Sequence, residues 1–179
     1  MALETLLLFA LTEFILCLTP GPAVFVVVAI AMRRGLAAGW AASAGVVAGS
    51  AFYFLLSALG IGALIVASQT LFMALKWAGA AYLCVLGLRM AWPAIQRLRG
   101  RALPQTVAPV ATEAVIGLWP SFWKGFAGQL ANPKTLIFFL ALFPQFIAPE
   151  GNVALQFAIM ALVSGAIELP ILMAYAFVS

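Results

Sequence analysis

The stretch LETLLLFALTEFILCLTPGPAVFVVVAIAMRR, residues 3–34, decides how this chain folds. Its apolar part, residues 3–32, would form a straight helix of roughly 45 Å at about 1.5 Å per residue, whereas the hydrocarbon core of a bilayer is about 30 Å thick. Such a helix must tilt, overhang or break. The sequence Thr19-Pro20-Gly21-Pro22 in its middle removes backbone donors and clashes with the preceding turn. The stretch therefore predicts a membrane span that is broken at these four residues.

The composition of the whole chain agrees with a membrane location. Of the 179 residues, 66% are hydrophobic and 8% are charged, and the mean hydropathy is +1.16; an average soluble domain is about half apolar and roughly a quarter charged. Barrel strands alternate apolar and polar residues, whereas residues 25–31 and 138–143 are apolar without alternation. The sequence therefore predicts an all-α polytopic membrane protein, a helical bundle whose partner is the lipid bilayer.

Composition also excludes several kinds of chemistry. The chain has no His and no Asp, so a His-ligated metal site, a Ser-His-Asp triad and an Asp-rich magnesium site cannot form. Cys17 and Cys84 both lie in apolar runs, where a cysteine is usually a small apolar side chain. The basic residues flank apolar segments, which is a topology signal rather than a nucleic-acid surface. We therefore expect no enzymatic activity, no cofactor, no metal and no nucleic-acid partner.

The organisation of the chain follows from the lengths of its apolar segments. Since about 20 apolar residues cross a bilayer as a helix, the sequence predicts about five spans, at 3–32, 36–66, 71–92, 121–147 and 153–178. The only extended polar loop is 93–120, so we expect one transmembrane domain, 1–179, with a three-helix half at 1–92 and an incomplete second half at 121–179. Under the positive-inside rule, the loops 33–35 and 93–120 are cytoplasmic and the N-terminus lies on the other side. Seven of the nine basic residues support this orientation: Arg33, Arg34, Arg89, Arg97, Arg99, Arg101 and Lys124.

A second break, Asn132-Pro133-Lys134, stands inside predicted span 4. Each break is ten residues from the predicted cytoplasmic end of its span, which places both about 15 Å into the bilayer. Two breaks at one depth, in the first helices of the two halves, are typical of an inverted-repeat transporter with a binding site at the midplane. The alternative interpretation is that the prolines only kink these helices for packing.

Three ionisable side chains, Glu13, Lys134 and Glu168, lie too deep in the predicted spans to reach an interface easily. A Lys or Asp at the centre of a membrane helix costs about 2.5–3.5 kcal/mol on the insertion scale, so we expect these residues to face the protein interior and to serve a function. The alternative is a buried ion pair between Lys134 and Glu168 that helps assembly. Glu13 has a further alternative, which is to face a partner subunit.

Four segments carry a resemblance to a known family: TPGP (19–22), MRRGLAAG (32–39), WAGAAYLCVLGLRM (77–90) and NPKTLIFFLALFPQF (132–146). In this order they are similar to segments of the LysE/RhtB family of bacterial amino-acid exporters, and the resemblance covers nearly the whole chain. It implies export of amino acids or related small metabolites across the bacterial inner membrane, with the proton gradient as the driving force. In that membrane, the orientation from the positive-inside rule makes the N-terminus periplasmic.

For an amino-acid substrate, the free N–H groups after Pro22 and the Lys134 ammonium suit the carboxylate. The Asn132 amide, Glu168 and the carbonyls freed by the prolines suit the ammonium. Glu13 and Glu168 are the candidates for proton coupling or for a buried charge, and Glu168 has the apolar setting that a proton carrier needs. The candidate substrate-binding residues are Thr19, Pro20, Gly21, Pro22, Asn132, Pro133 and Lys134.

Two features depart from the family pattern. Many members carry an acidic residue or Asn directly after TPGP, where this chain has Ala23. Members also usually have a sixth apolar segment, so we expect a truncated 3+3 inverted repeat in which the face of span 5 around Ser164 and Glu168 lacks a neighbour. On that expectation the natural protein continues beyond Ser179 or the chain forms a homo-oligomer. The alternatives to an exporter are a non-transporting membrane scaffold, an inactive truncated transporter and, less well supported, a channel.

Overall fold

The computed structural model describes residues 2–67, 117–139 and 143–179, together with the isolated residues Thr70 and Trp77. Over these residues the backbone is helical apart from short turns, which confirms the predicted all-α fold. Predicted span 3 (71–92), apart from Trp77, lies outside the described residues, and so does most of the predicted loop 93–120.

The described helices correspond closely to the predicted spans. Predicted spans 2 and 5 are single helices, whereas span 1 is two helices and span 4 is two helices followed, after residues 140–142, by a short 3-10 helix. In chain order the elements are α1 (Leu3–Leu18), α2 (Pro22–Arg34), α3 (Leu36–Ala67), α4 (Leu118–Leu130), α5 (Pro133–Ile137), the 3-10 helix (Phe143–Phe146) and α6 (Val153–Val178).

The predicted end of the loop 93–120 is wrong by three residues, because α4 begins at Leu118. Pro120 suggested a loop boundary from the sequence. It lies instead in the first turn of α4, where its missing N–H is one that the helix could not have satisfied.

The break in span 1 is a local consequence of its prolines. Gly21 precedes α2 in an extended conformation, with φ −121° and ψ −179°, and Pro22 occupies the first turn of α2, which is a favoured place for proline. The axes of α1 and α2 differ by 51° across this break. The predicted break at Thr19-Pro20-Gly21-Pro22 is therefore confirmed.

The break in span 4 also occurs at a proline, but the backbone after it differs from that in span 1. Asn132 is extended, and its side-chain oxygen accepts a hydrogen bond of 3.0 Å from the Lys134 N–H. Pro133 begins α5. Beyond α5 the backbone continues through a wide π-type turn at 138–139. Span 4 is thus broken where the sequence predicts, and it is more irregular after the break than a single apolar segment suggests.

Within the part of the chain that the structure describes, two helices are long and apolar enough to cross a membrane by themselves: α6, and α3 over Leu36–Gly60. Helices α1 and α2 pass the same test when they are taken together as one broken span. Leu7, Leu11 and Phe25 on these two helices are 60%, 57% and 63% exposed, as expected of a surface that faces lipid. The described part of the chain is therefore that of a polytopic helical membrane protein.

Helices α3 and α4 pack with their backbones in close approach. A Cβ atom added to Gly45 would lie 1.9 Å from the Phe122 carbonyl oxygen, and one added to Gly125 would lie 2.0 Å from the Ala42 carbonyl oxygen. Only glycine fits at such distances, which is how small residues let membrane helices approach each other. This contact brings spans 2 and 4 together and so positions the break in span 4.

Buried apolar side chains form two clusters. The aromatic cluster consists mainly of phenylalanines and the aliphatic cluster consists of Ala, Val, Ile and Leu. The aromatic cluster comprises Phe9, Phe54, Phe138, Phe139, Phe143, Phe146, Ile147, Phe157 and Met160. The aliphatic cluster comprises Ala23, Val24, Val27, Ile30, Ala31, Ala38, Ala42, Val46, Leu172 and Ala176.

The expectation that the Glu168 face of span 5 lacks a neighbour is wrong. Ser164 is 1% exposed and Glu168 is 8% exposed, and their side chains hydrogen-bond to Glu13 on α1 and to Gln129 on α4. Glu13 likewise faces the interior of this chain rather than a partner subunit. The carboxylates on α1 and α6 are turned toward each other because neither can remain against lipid at low cost.

Candidate functional site

A cavity of about 70 Å³ lies where the two breaks meet, and residues of α1 to α6 and of both apolar clusters line it. A cavity volume of about 10–15 Å³ is enough to hold one water molecule, so this cavity has room for several waters. Three predicted site residues, Pro20, Pro22 and Pro133, are not in the cavity wall. The predicted site residues that line the cavity are Glu13, Thr19, Gly21, Asn132, Lys134 and Glu168.

Lys134 joins the two breaks. Its side chain extends from the start of α5 to the end of α1, where the ammonium donates to the Leu16 carbonyl and, at 2.9 Å, to the Thr19 carbonyl. Because Pro20 and Pro22 lack an N–H, the end of α1 has carbonyls without helical partners. Lys134 therefore supplies span 1 with hydrogen-bond donors in place of those that the prolines of span 1 lack.

Two tyrosines satisfy further carbonyls at the breaks. The Tyr175 hydroxyl on α6 donates to the Leu18 carbonyl at 2.9 Å, and the Tyr53 hydroxyl on α3 donates to the Leu130 carbonyl at 2.7 Å. Leu18 and Leu130 are the last residues of α1 and α4. Each broken span thus has its last helical carbonyl held by a side chain from the opposite half of the chain, which stabilises the breaks without hydration by bulk water.

The donor ends of the two breaks differ. Asn132 caps α5 with its own side chain, whereas the residue before α2 is Gly21, which makes no side-chain cap. Ala23 and Val24 line the cavity, and their N–H groups belong to the first turn of α2, where a helix offers no acceptor. The partial positive charge at the start of α2 is therefore directed to the cavity.

The two carboxylates of the cavity have different surroundings. Glu13 Oε1 accepts from the Ser164 hydroxyl at 2.6 Å, and Glu168 Oε1 accepts from the Gln129 amide at 3.2 Å. Glu168 Oε2 is buried and makes no hydrogen bond of good geometry to a described residue, although the Ser50 hydroxyl lies near this carboxylate. A buried acceptor without a donor is costly, so this oxygen is the polar atom of the site that a ligand or a proton would satisfy best.

Gln129 links these groups into one network. Its amide nitrogen donates to Ser50 at 2.7 Å as well as to Glu168, and its amide oxygen accepts from Asn132 at 3.2 Å. The break in span 4 is therefore connected by side-chain hydrogen bonds to α3 and α6. A change at Glu168 reaches the α5 cap through a single residue.

The charges of the cavity do not form the direct Lys134–Glu168 pair that was the alternative interpretation of the sequence. The Lys134 ammonium donates to carbonyls, and it interacts with Glu13 and Glu168 only through longer-range attraction. If all three groups are ionised, the cavity carries two negative charges and one positive charge. Lys134 therefore compensates both carboxylates incompletely.

Several residues of this site were not predicted from the sequence: Ser50, Tyr53, Gln129, Ser164 and Tyr175. Gln129 carried a signal, since a polar amide three residues before Asn132 on an apolar helix lies on the same face as the break. The two serines read as small packing residues, and nothing in the sequence pairs either tyrosine with a carbonyl on a distant span. These contacts depend on the tertiary arrangement of the helices.

Two broken spans around a polar cavity are the architecture of secondary transporters, and comparison with known proteins agrees with that class. Residues 14–179 match the family model described as LysE type translocator, so the chain belongs to the LysE translocator family. An uncharacterised membrane protein of Pseudomonas aeruginosa is 38% identical over 82% of this chain and 66% of its own length. The homoserine/homoserine lactone efflux protein of Salmonella typhimurium is 30% identical over 98% of this chain and 81% of its own length.

A third relative, the leucine efflux protein of Salmonella choleraesuis, is 32% identical over 76% of this chain and 62% of its own length. The chain spans slightly less than two thirds of the length of this protein and of the Pseudomonas aeruginosa relative. No solved structure matches the chain.

Proposed function

We propose that this chain exports amino acids or closely related small metabolites, and that it binds them in the cavity between the two breaks. The observation that carries the proposal is that this cavity offers groups of both signs, at an uncapped helix start and at a carboxylate oxygen that has no hydrogen-bond partner among the described residues. The efflux proteins among its relatives are named for homoserine, homoserine lactone and leucine. All three compounds carry an amino group on a small carbon skeleton.

The carboxylate of the substrate binds at the start of α2. The N–H groups of Ala23 and Val24 and the helix dipole favour an anion there, and the Lys134 ammonium is adjacent, since a Cβ added to Gly21 would lie 3.9 Å from its Nζ. An ammonium has three donors, and two of the three are used on carbonyls. The third is available to a carboxylate at this position.

The ammonium of the substrate binds at Glu168. Its Oε2 atom needs a donor, and a substrate ammonium supplies a charge-assisted one. In the absence of substrate, a proton on the same carboxylate removes the excess negative charge of the cavity. Because the substrate ammonium and the proton exclude each other on Glu168, outward movement of substrate is coupled to inward movement of a proton. Glu13 is the second acidic group of the site.

The experiment that tests export and the site together uses two asparagines that share a capping role, of which Asn132 also donates a hydrogen bond to Gln129. Asn132 and Asn152 each cap a helix by accepting a backbone N–H at 3.0 Å, so replacing either by alanine costs about 0.5–2 kcal/mol of helix stability. Only Asn132 lines the cavity. We expect cells that lack their own amino-acid exporters to release amino acids when they express the unaltered chain or Asn152→Ala, and Asn132→Ala to lower that release by about tenfold or more.

Each result has a clear meaning. No excess of any amino acid in the medium, with the unaltered chain present in the membrane, contradicts export and favours a non-transporting scaffold. Equal losses in the two asparagine variants contradict the assignment of the site while leaving export intact.

We further propose the orientation and organisation that the basic residues predict: an inner-membrane protein with a periplasmic N-terminus, and two halves on either side of the loop 93–120. A reporter fused after Arg101 should behave as cytoplasmic and one inserted near Glu150 as periplasmic. The reverse pattern would contradict this orientation.

A further inference from the structure

The apolar part of the cavity wall includes Phe139, an aromatic residue whose ring contacts two other aromatic rings. Phe139 is 4% exposed and lines the cavity. Its ring stacks on Tyr53 with centroids 5.3 Å apart and an interplanar angle of 17°, and it meets Phe54 edge-on at 4.8 Å. Phe139 lies in the wide turn after α5, which places a ring from the broken span against the helix α3.

Tyr53 contacts span 4 on both sides of its break. Its hydroxyl holds the Leu130 carbonyl before the break, and its ring stacks on Phe139 after the break. Ser50, one turn earlier on α3, holds Gln129. The position of Phe139 is therefore set by the same helix that fixes the end of α4, and this part of the wall is rigid rather than adaptable.

The polar groups of the cavity suit the charged groups of a ligand, so the aromatic wall is the part that contacts the rest of the ligand. Lys134, Glu168 and the start of α2 are complementary to a carboxylate and an ammonium, and each of these charged groups gains more from a charge-assisted hydrogen bond there than from contact with a ring cluster. We propose that Phe139, positioned by Tyr53, is the wall that limits the side-chain size of the exported amino acid. This inference rests on the proposed function and adds the residue that selects among substrates.

The selection follows from the volume of the ring. A rigid apolar wall discriminates by about 10–200-fold per methylene group, so removing the ring should admit longer side chains. We expect Phe139→Ala to raise the ratio of kcat/KM for phenylalanine to that for alanine by about tenfold or more, and Phe139→Leu to shift it in the same direction by less.

The control for lost packing is Phe143→Ala. Phe143 is fully buried in the same aromatic cluster and contacts Phe139 with centroids 5.4 Å apart, but it does not line the cavity. Its replacement should lower the yield of folded protein and leave the substrate ratio unchanged.

The control for the role of Tyr53 is a second tyrosine. Tyr53→Phe and Tyr175→Phe each remove one hydroxyl that holds the last carbonyl of a broken helix, but only Tyr53 touches Phe139. We expect Tyr53→Phe to change the substrate ratio and to raise KM more than it lowers kcat, whereas Tyr175→Phe leaves the ratio at the value of the unaltered protein.

The measurement uses the full chain in liposomes preloaded with one labelled amino acid from the series alanine, 2-aminobutyrate, norvaline, leucine and phenylalanine, with efflux followed over time. If the unaltered protein releases none of the five, the proposed function is wrong for neutral amino acids and the inference falls with it. If the unaltered protein transports but both Phe139 variants and Tyr53→Phe keep its order of preference, the proposed function stands and the inference is overturned.

Discussion

Replacing Lys134 by methionine should destabilise the protein more than any other single change at the breaks. The substitution keeps a long, flexible side chain but removes the charge and the donors that hold the Leu16 and Thr19 carbonyls. A hydrogen bond to a charged group contributes about 1.5–3 kcal/mol. The same change leaves Glu13 and Glu168 without their nearby positive charge, and an uncompensated buried charge costs about 3–5 kcal/mol.

These losses do not simply add, because the cavity has room for water. Water molecules can donate to the exposed carbonyls, and one carboxylate can take up a proton. Because Lys134 acts on the carboxylates only at longer range, we expect Lys134→Met to lower the free energy of unfolding by about 3 kcal/mol, the lower end of the cost of removing a buried charge partner. Tyr175→Phe, which removes one neutral hydrogen bond from the same break, should cost only about 0.5–1.5 kcal/mol.

The assay is reversible unfolding of the purified protein in mixed micelles by increasing SDS, followed by tryptophan fluorescence. The double variant Lys134→Met with Glu168→Gln separates charge from hydrogen bonding: if the charge dominates, the second substitution restores part of the stability lost in the first. Equal effects of Lys134→Met and Tyr175→Phe, with no coupling to Glu168, would refute the claim that Lys134 compensates the carboxylates and holds the two breaks together.

Three further outcomes follow from the same site. Glu168→Gln should abolish uphill export but retain exchange of substrate at a raised KM, since the amide oxygen can still accept from the substrate ammonium but carries neither a charge nor a proton; normal uphill export in liposomes with an imposed proton gradient would rule out that role. Thr19→Val should lower export at least about threefold while Thr12→Val does not, because both hydroxyls bond the carbonyl four residues earlier and only Thr19 lines the cavity, where a lost hydrogen bond to a substrate costs about 0.5–1.5 kcal/mol. Gly125→Ala should reduce stability by about 1–3 kcal/mol, as overpacking does, because its Cβ would lie 2.0 Å from the Ala42 carbonyl oxygen; an unchanged SDS midpoint would show that α3 and α4 separate at no cost.

The parts of the fold that the sequence predicts are those with local causes. The breaks at Pro22 and Pro133 follow from local sequence, because each proline lacks an N–H and comes after a residue, Gly21 or Asn132, with extended backbone. Pro170, by contrast, lies inside α6, which continues through it. The ends of α3 and α6 follow from the lengths of their apolar runs. The start of α4 was misplaced because Pro120 is compatible both with a loop and with a first helical turn, and only the packing of α4 against α3 decides between them.

The partners of the freed carbonyls could not be predicted, because they come from distant parts of the chain. Lys134 is more than a hundred residues from Leu16 and Thr19, with sequence separations of 118 and 115. The sequence identified Lys134 and Glu168 as unusual in a membrane span, and the simplest pairing of opposite charges was with each other. Carbonyls at a helix end compete successfully for an ammonium, because a backbone carbonyl left without a donor inside a membrane protein is costly.

The starts of α2 and α5 differ in the residue that precedes the proline, and this difference gives the site its polarity. Asn132 carries a side chain that caps α5, whereas Gly21 has none and leaves the start of α2 open. A substrate carboxylate therefore gains more at α2 than at α5, where the side chain already occupies a donor. With Glu168 Oε2 unpartnered among the described residues, the ammonium has its own place, and a bound amino acid would be oriented from span 1 toward span 5 with its side chain left for the aromatic wall. Lys134 serves both roles from its place on α5, because its ammonium reaches the open start of α2 as well as the carbonyls at the end of α1.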